Sequence, residues 1–347
     1  MVSSEPSDLS ATEPLSETVS VSRRRNLIFL AKLAVTLGLL GFLISRTPLD
    51  DVSTRLRSIG VPTISLVVAI FFLILLTTAL RWQVVLRHFG DAVGFPSLWR
   101  YTLIGGFFNQ LLPSGMGGDV FRIWYARSFH VSTGKAIASV VVDRMLGLAA
   151  IAIIVILGTP FFLSASPPPF LFWAAIVAMA FVIAGIGAFM SLDALEKPLS
   201  GIVRQIASAR IRERAYRTLS GTAWAAKNTR KMFVAWPDGP LAMGISIGNQ
   251  VLICYVVFLL LRGMGESTTF GSVVFLFPFV ELLNMLPISF AGWGLREGAM
   301  VVAFALVGVP ADAALSASIL YGLCLLGASL PGALVWLVIR RRQIPAR

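Results

Sequence analysis

From Met145 to Leu192 the chain carries no Asp, Glu, Lys or Arg, and neither does the stretch from Ala313 to Ile339. Runs of that length and composition are long enough to cross a bilayer core of roughly 30 Å. They set the class before any motif is read. Over 347 residues, 56% are apolar and 13% charged, against about 25% charged in an ordinary soluble domain. A soluble enzyme, a nucleic-acid binder and a disulfide-stapled secreted domain are excluded together. The net charge of +12, from 29 basic and 17 acidic residues, would otherwise invite a nucleic-acid partner; here its placement carries the information. Cys254 and Cys324 both lie in apolar runs. Isolated thiols without a neighbouring His make neither a disulfide framework nor a metal site, so no metal or cofactor is expected.

Residues 1–26 are rich in Ser and acids, with few apolar side chains, and read as a disordered cytoplasmic tail. The rest, 27–340, reads as one transmembrane domain, with 341–347 as a short cytoplasmic tail. Six full spans are expected: Leu27 to Ser45, Thr63 to Leu80, Ala136 to Gly158, Phe170 to Met190, Leu241 to Leu261 and Ala313 to Ile339. The first follows Arg23, Arg24 and Arg25 and ends in Ser-Arg-Thr-Pro rather than a cleavage site, so it reads as a retained signal-anchor helix. Two shorter runs differ. Tyr101 to Leu112 leads into Pro-Ser-Gly-Met-Gly-Gly, and Gly271 to Leu286 leads into Pro-Ile-Ser-Phe-Ala-Gly-Trp-Gly. Short apolar legs on either side of a Pro/Gly break predict re-entrant helical hairpins.

With the N-terminus in the cytoplasm, the inside segments hold 22 of the 29 basic residues. That distribution obeys the positive-inside rule and places both termini on the cytoplasmic side of an inner (plasma) membrane. Residues 191–240 form the one sizeable polar segment between spans. Leu195, Leu199, Ile202, Val203 and Ile206 recur there at helical spacing among arginines. The segment fits either a basic amphipathic helix on anionic headgroups or a solvated linker helix.

The hairpins resemble each other. The first reads Asn109-Gln-Leu-Leu-Pro113-Ser-Gly-Met-Gly117-Gly118-Asp119-Val-Phe-Arg122; the second reads Asn284-Met-Leu-Pro287-Ile-Ser-Phe-Ala-Gly292-Trp-Gly294-Leu-Arg296-Glu297-Gly298. Each has Asn, then Pro, a Gly-rich turn and an Arg four residues after a Gly. Halves of about 27–158 and 170–339 would each hold three spans and one hairpin. An odd number of crossings makes the halves inverted, which is a sequence pointer to a transporter site.

After each turn a helix begins with unpaired N–H groups and a positive dipole end. With Arg122 or Arg296 one turn away, such an end suits an anion. It equally suits a plain cap by Asp119 or Glu297. Asp143, Arg144 and Glu281 lie in otherwise apolar segments, where each ion costs roughly 2.5–3.5 kcal/mol on insertion scales. Adjacent residues on a helix diverge by about 100°, so Asp143 and Arg144 need partners elsewhere. Glu281, Arg296 and Glu297 are the expected supply. The cluster reads either as a charged knot tying the hairpins to the bundle or as the lining of a polar cavity.

The stretch Asn109 to Arg122, the Asp143-Arg144 pair and Leu286-Pro-Ile-Ser-Phe-Ala-Gly-Trp-Gly-Leu-Arg-Glu-Gly298 resemble the transmembrane region of lysylphosphatidylglycerol synthases/flippases. The resemblance covers roughly Leu27 to Arg340. Asp143 stands where that family often has Glu, and Ser-Phe-Ala-Gly replaces a more Gly/Pro-rich turn. The chain ends seven residues after Arg340, without the soluble aminoacyl-transferring domain of the full-length synthases. The resemblance therefore implies the lipid-translocating half rather than the synthase. No Ser/His/Asp set, metal cluster or Walker-type loop points to catalysis.

The expectation is a protein that is not an enzyme and that moves anionic lipid headgroups, of a phospholipid or polyprenyl phosphate, between leaflets. Its substrate-binding residues would be Asn109, Gly117, Gly118, Asp119, Arg122, Asp143, Arg144, Glu281, Asn284, Gly292, Gly294, Arg296 and Glu297. Two other readings are an ion-coupled carrier of a small anion, with Asp143 or Glu281 as proton group, and a non-transporting partner of a lipid-modifying enzyme.

Overall fold

Turn chemistry sets where the long helices begin and end. The computed structural model describes residues 49–343 apart from 113–116, 164–168, 206–207, 287–288 and 290–291, together with scattered positions between 34 and 45. The tail 1–26 and most of the expected span Leu27 to Ser45 lie outside the described residues. All regular structure among the described residues is helical: α1 (Leu49–Ser58), α2 (Val61–His88), α3 (Phe95–Leu111), α4 (Gly117–Ser128), α5 (Thr133–Leu163), α6 (Pro169–Met190), α7 (Leu192–Arg204), α8 (Ala209–Val234), α9 (Asp238–Gly263), α10 (Phe270–Asn284), α11 (Leu295–Ala305) and α12 (Ala311–Gln343). Pro62 opens α2 and Pro96 opens α3, each just inside a Gly N-cap, where the missing N–H costs nothing. α2 stops at Gly90, whose φ of +82° lets the Asp91 N–H return to the Leu86 carbonyl, a left-handed C-terminal turn. The Thr269 hydroxyl accepts from the Ser272 N–H and caps α10.

Five helices are long and apolar enough to cross a membrane: Val61–His88, Thr133–Leu163, Phe172–Met190, Asp238–Gly263 and Ala311–Ile339. They match five of the six expected spans, and the chain is a polytopic all-α membrane protein. Four run further than expected, α2 and α5 by the most. α2 has 28 residues and α5 has 31, about 42 and 46 Å at 1.5 Å per residue. The extension of α2 takes in Arg81, which reads from the sequence as the first cation of a loop. Tyr101 to Leu112 and Gly271 to Leu286 both sit in helix–break–helix units. Their legs, α3/α4 and α10/α11, have 17, 12, 15 and 11 residues, all below the about 20 residues of a typical full crossing.

The helices interlock. α2 packs on α9; α3 and α4 pack on each other, as do α10 and α11. α3 also lies on α12, while α10 lies on α5. Small residues allow the close approaches. A methyl on Gly118 would sit 2.2 Å from the Gly105 carbonyl oxygen, and one on Gly332 would sit 2.1 Å from that of Leu103. The main core gathers around Phe71, Phe162, Phe277, Leu260 and Phe304. Phe162 stacks on Phe275 at 4.1 Å, tying α5 to α10.

Ion pairs mark the two ends of the bundle. At one end Lys135 meets Asp91 at 3.1 Å and Arg87 meets Asp238, joining the segments before α3, after α4 and before α9. At the other, Arg55 of α1 meets Glu266 at 2.8 Å and Asp312 at 2.9 Å, joining the segments before α10 and after α11. Beside the first end, Asp193 of α7 pairs with Arg230 of α8 at 2.7 Å. α7 buries no residue and leaves Leu195 and Ile202 exposed.

Candidate functional site

Buried charge inside an apolar bundle has to be paired, because an ion without a partner there costs several kcal/mol. Asp143 is 4% exposed. It accepts from Arg81 Nε at 2.7 Å and from Arg122 Nη1 at 2.9 Å. Arg144 turns the other way and donates to Asp119 Oδ2 at 2.6 and 2.9 Å. Asp119 and Arg122 face each other at 3.7 Å, closing a network of two carboxylates and three guanidiniums across α2, α4 and α5. Arg122 also lies over the Trp82 ring, 4.5 Å from its centre, a cation–π contact. Arg81 reaches the Ser246 hydroxyl of α9 at 2.8 Å.

Asp143 and Arg144 thus do find partners outside their own turn, but not the expected ones. Glu281, Arg296 and Glu297 serve elsewhere. Arg296 and Glu297, both buried, pair with each other at 2.7 Å. The Ser318 hydroxyl of α12 joins them, 3.1 Å from Arg296 Nε and 2.9 Å from Glu297 Oε1. The other Glu297 oxygen accepts the Gly294 N–H, so this acid caps α11 as well as neutralising Arg296. Arg296 sits between the Trp293 and Tyr321 rings, 5.0 and 5.2 Å from their centres. Arg122 and Arg296 are therefore neutralised and held, not projecting freely from a helix start.

Each break is built around an Asn and a Gly. Asn109 Oδ1 accepts the Gly118 N–H at 2.7 Å. Across the bundle, a methyl on Gly292 would fall 1.9 Å from Asn284 Oδ1, and Gly292 holds a φ of +82°. Only Gly satisfies both demands. Asn284 Oδ1 is buried and has no hydrogen-bond partner among the described residues.

The breaks meet. A cavity of about 400 Å³ is lined by Asn109, Gln110 and Arg144 on one side and by Glu281, Asn284, Ser289, Gly292 and Arg296 on the other. A smaller cavity of about 180 Å³ lies beside it, lined by Arg81, Asp143, Ser246, Asn249 and Gln250, and Arg144 and Glu281 line both. Glu281 accepts a hydrogen bond from Gln250 Nε2. Behind α10 a third, apolar cavity of about 680 Å³ is bounded by α6, α10, α11 and Leu39. It takes in Gly294, and Val280 separates it from the polar one.

Of the residues singled out in the sequence, Asn109, Arg144, Glu281, Asn284, Gly292 and Arg296 share the larger polar cavity and Asp143 faces the smaller. Gly117, Gly118, Asp119, Arg122 and Glu297 stand behind that lining as its support. Arg81, Gln110, Ser246, Gln250 and Ser318 were not anticipated. The signal for Arg81 was available: Trp82, Val84, Val85 and Leu86 continue the apolar pattern past it. Neutral Gln250 and Ser318 in apolar runs give no comparable signal.

Residues 29–332 match the family described as lysylphosphatidylglycerol synthase TM region. Two proteins of Methanothermobacter thermautotrophicus, each described as a UPF0104 membrane protein, are similar over most of their length. One is 25% identical over 86% of this chain and 88% of its own, the other 24% identical over 78% and 82%. Since the match spans both helix breaks and every charge of the two networks, the chain belongs to the lysylphosphatidylglycerol synthase transmembrane-region family.

Proposed function

We propose that this protein moves the anionic headgroup of a phospholipid or polyprenyl phosphate between leaflets, without catalysing a reaction on it. The observation that carries the reading is the convergence of residues flanking both Pro/Gly breaks on one polar cavity, backed by an apolar cavity on the other face of α10. A lipid needs a polar place for its head and an apolar one for its tails. Arg144, whose side chain is 39% exposed, is the cation most open to a headgroup.

An inverted repeat is part of the proposal, and three features support it. The packing pairs exchange under the swap of α2–α5 with α9–α12: α3 on α12 becomes α10 on α5, and α4 on α5 becomes α11 on α12. The 175-residue offset that takes Asn109 to Asn284 also takes Asp143 to Ser318, and each binds the arginine of its own hairpin. The ends of the first hairpin lie with the Lys135–Asp91 pair, those of the second with the Arg55 pairs at the opposite end. With Arg81 and Arg122 counted in the buried network, 20 of the 29 basic residues remain on one side, and the first of these ends, the 191–240 segment and both termini are assigned to the cytoplasm of an inner-membrane protein. The expected first span completes six, with both hairpins re-entrant. A lipid-modifying enzyme is a reasonable neighbour for such a protein, and co-purification tests that pairing.

The test is reconstitution into phosphatidylcholine–phosphatidylglycerol vesicles with a fluorescent phosphatidylglycerol, following dithionite quenching of the inner pool. Arg144→Ala should slow lipid movement at least about fivefold, with Arg144→Lys intermediate, since a point charge replaces the planar fork. Equal rates in vesicles with and without folded protein reject the reading.

A further inference from the structure

The two acids at the junction of the polar cavities are held in opposite ways. Asp143 lies between two guanidiniums at 2.7 and 2.9 Å; adding a proton to it would strand both. Glu281 has no cation within salt-bridge distance among the described residues, and its hydrogen bond comes from a neutral amide, Gln250. Ionised, it is a half-buried charge with no cation against it; protonated, it is neutral and still accepts from Gln250. The groups facing it from neighbouring helices are Arg144 and Asp143 of α5, Arg81 of α2, Gln250 and Cys254 of α9, Tyr321 of α12 and the Arg296–Glu297 pair of α11. Of the cations, Arg81 is engaged by Asp143 and Ser246, and Arg296 by Glu297 and Ser318. Arg144 has Asp119 as its acid partner, has no second side chain holding it among the described residues, lines both cavities with Glu281 and is partly exposed.

We infer that Glu281 is the proton-binding group of the site and that its proton decides whether Arg144 is free for an anionic headgroup. Counting the described network, Arg81, Arg122, Arg144 and Arg296 face Asp119, Asp143, Glu297 and Glu281. With Glu281 protonated, the four guanidiniums face three carboxylates and the site carries one positive charge, matching one singly charged anion. When Glu281 loses its proton to water, four face four, Arg144 gains a second acid to pair with, and the anion loses its counter-charge. Proton and anion therefore bind together and leave together, so the loaded site moves no net charge. The cargo in this scheme rests on the lipid-moving reading above; the proton site does not.

Two readouts separate them. In the vesicles described, movement of fluorescent phosphatidylglycerol should be at least about threefold faster at the acid end of a pH series than at its alkaline end, because only the protonated site keeps its counter-charge for the anion. Glu281→Gln should bring that ratio close to one whatever its absolute rate, while Glu281→Asp, which keeps an ionisable carboxyl, should restore it. Infrared titration of the purified protein should show a carboxylic-acid C=O band that disappears as pH rises and is missing from Glu281→Gln. A wild-type pH ratio retained in Glu281→Gln, or no titrating band in the wild type, overturns the proposal even if lipid moves. A titrating band with no lipid movement in the wild type keeps the proton site and rejects the lipid cargo.

Discussion

Asp143 is the residue on which most of the site's charge balance rests. It compensates Arg81 and Arg122 at once, both on other helices. Removing one member of a buried ion pair leaves the other uncompensated, at about 3–5 kcal/mol. Asp143→Asn should therefore lower the melting temperature in detergent sharply, and Arg122→Gln in the same background should recover part of the loss. A double-mutant cycle in which the two changes simply add would show that the contact is not a working pair. Ser318→Ala, the change at the corresponding place in α12, removes a neutral partner from an acid and an arginine that still hold each other. About 1 kcal/mol is expected there. The asymmetry explains what was legible. Charges in an apolar run announce themselves, so Asp143, Arg144 and Glu281 stood out in the sequence. Which charge meets which did not, because pairing is set by how helices far apart in sequence are packed. Arg296 and Glu297, adjacent in sequence, took each other and left Asp143 to Arg81.

At the scale of helices, close approach is governed by where a side chain is missing. The breaks were visible as Pro/Gly clusters, but the glycines that matter most for packing lie partly outside them. Gly105 and Gly332 sit within α3 and α12, where nothing local distinguishes them from helical glycines that face open space. Gly118→Ala would press a methyl against the Gly105 carbonyl oxygen and the Asn109 side chain. Backbone cannot yield as a side-chain end can, so the legs of the first hairpin must part, at about 1–3 kcal/mol. Gly248→Ala in α9 meets nothing within 4 Å and should be neutral or mildly stabilising, since Ala is the better helix former. Thermal melts of the two variants side by side check the contrast. A Gly118→Ala protein as stable as Gly248→Ala would mean that α3 and α4 are not locked together at Gly105.

For the whole molecule, hydropathy and charge were enough to place the long helices, because a bilayer leaves few alternatives for an apolar run. How far α2 extends, and therefore that Arg81 belongs to the buried network, follows from packing against α5 and α9 and not from local hydrophobicity. Orientation is the property that links the scales. If the halves are inverted, the segment joining α4 to α5 faces the cytoplasm and that joining α9 to α10 faces outward. Ser132 and Ser267 are exposed positions in those two segments. The native thiols, Cys254 and Cys324, are both buried, so they contribute little background to labelling by an impermeant maleimide. Ser132→Cys should then react in inside-out vesicles and be protected in right-side-out ones, with Ser267→Cys showing the reverse. The same pattern at both positions would put the hairpins on one side of the membrane. A two-fold inverted site would then be impossible, because the two helix breaks would approach the shared cavity from the same leaflet and no exchange of halves could carry its opening from one face to the other.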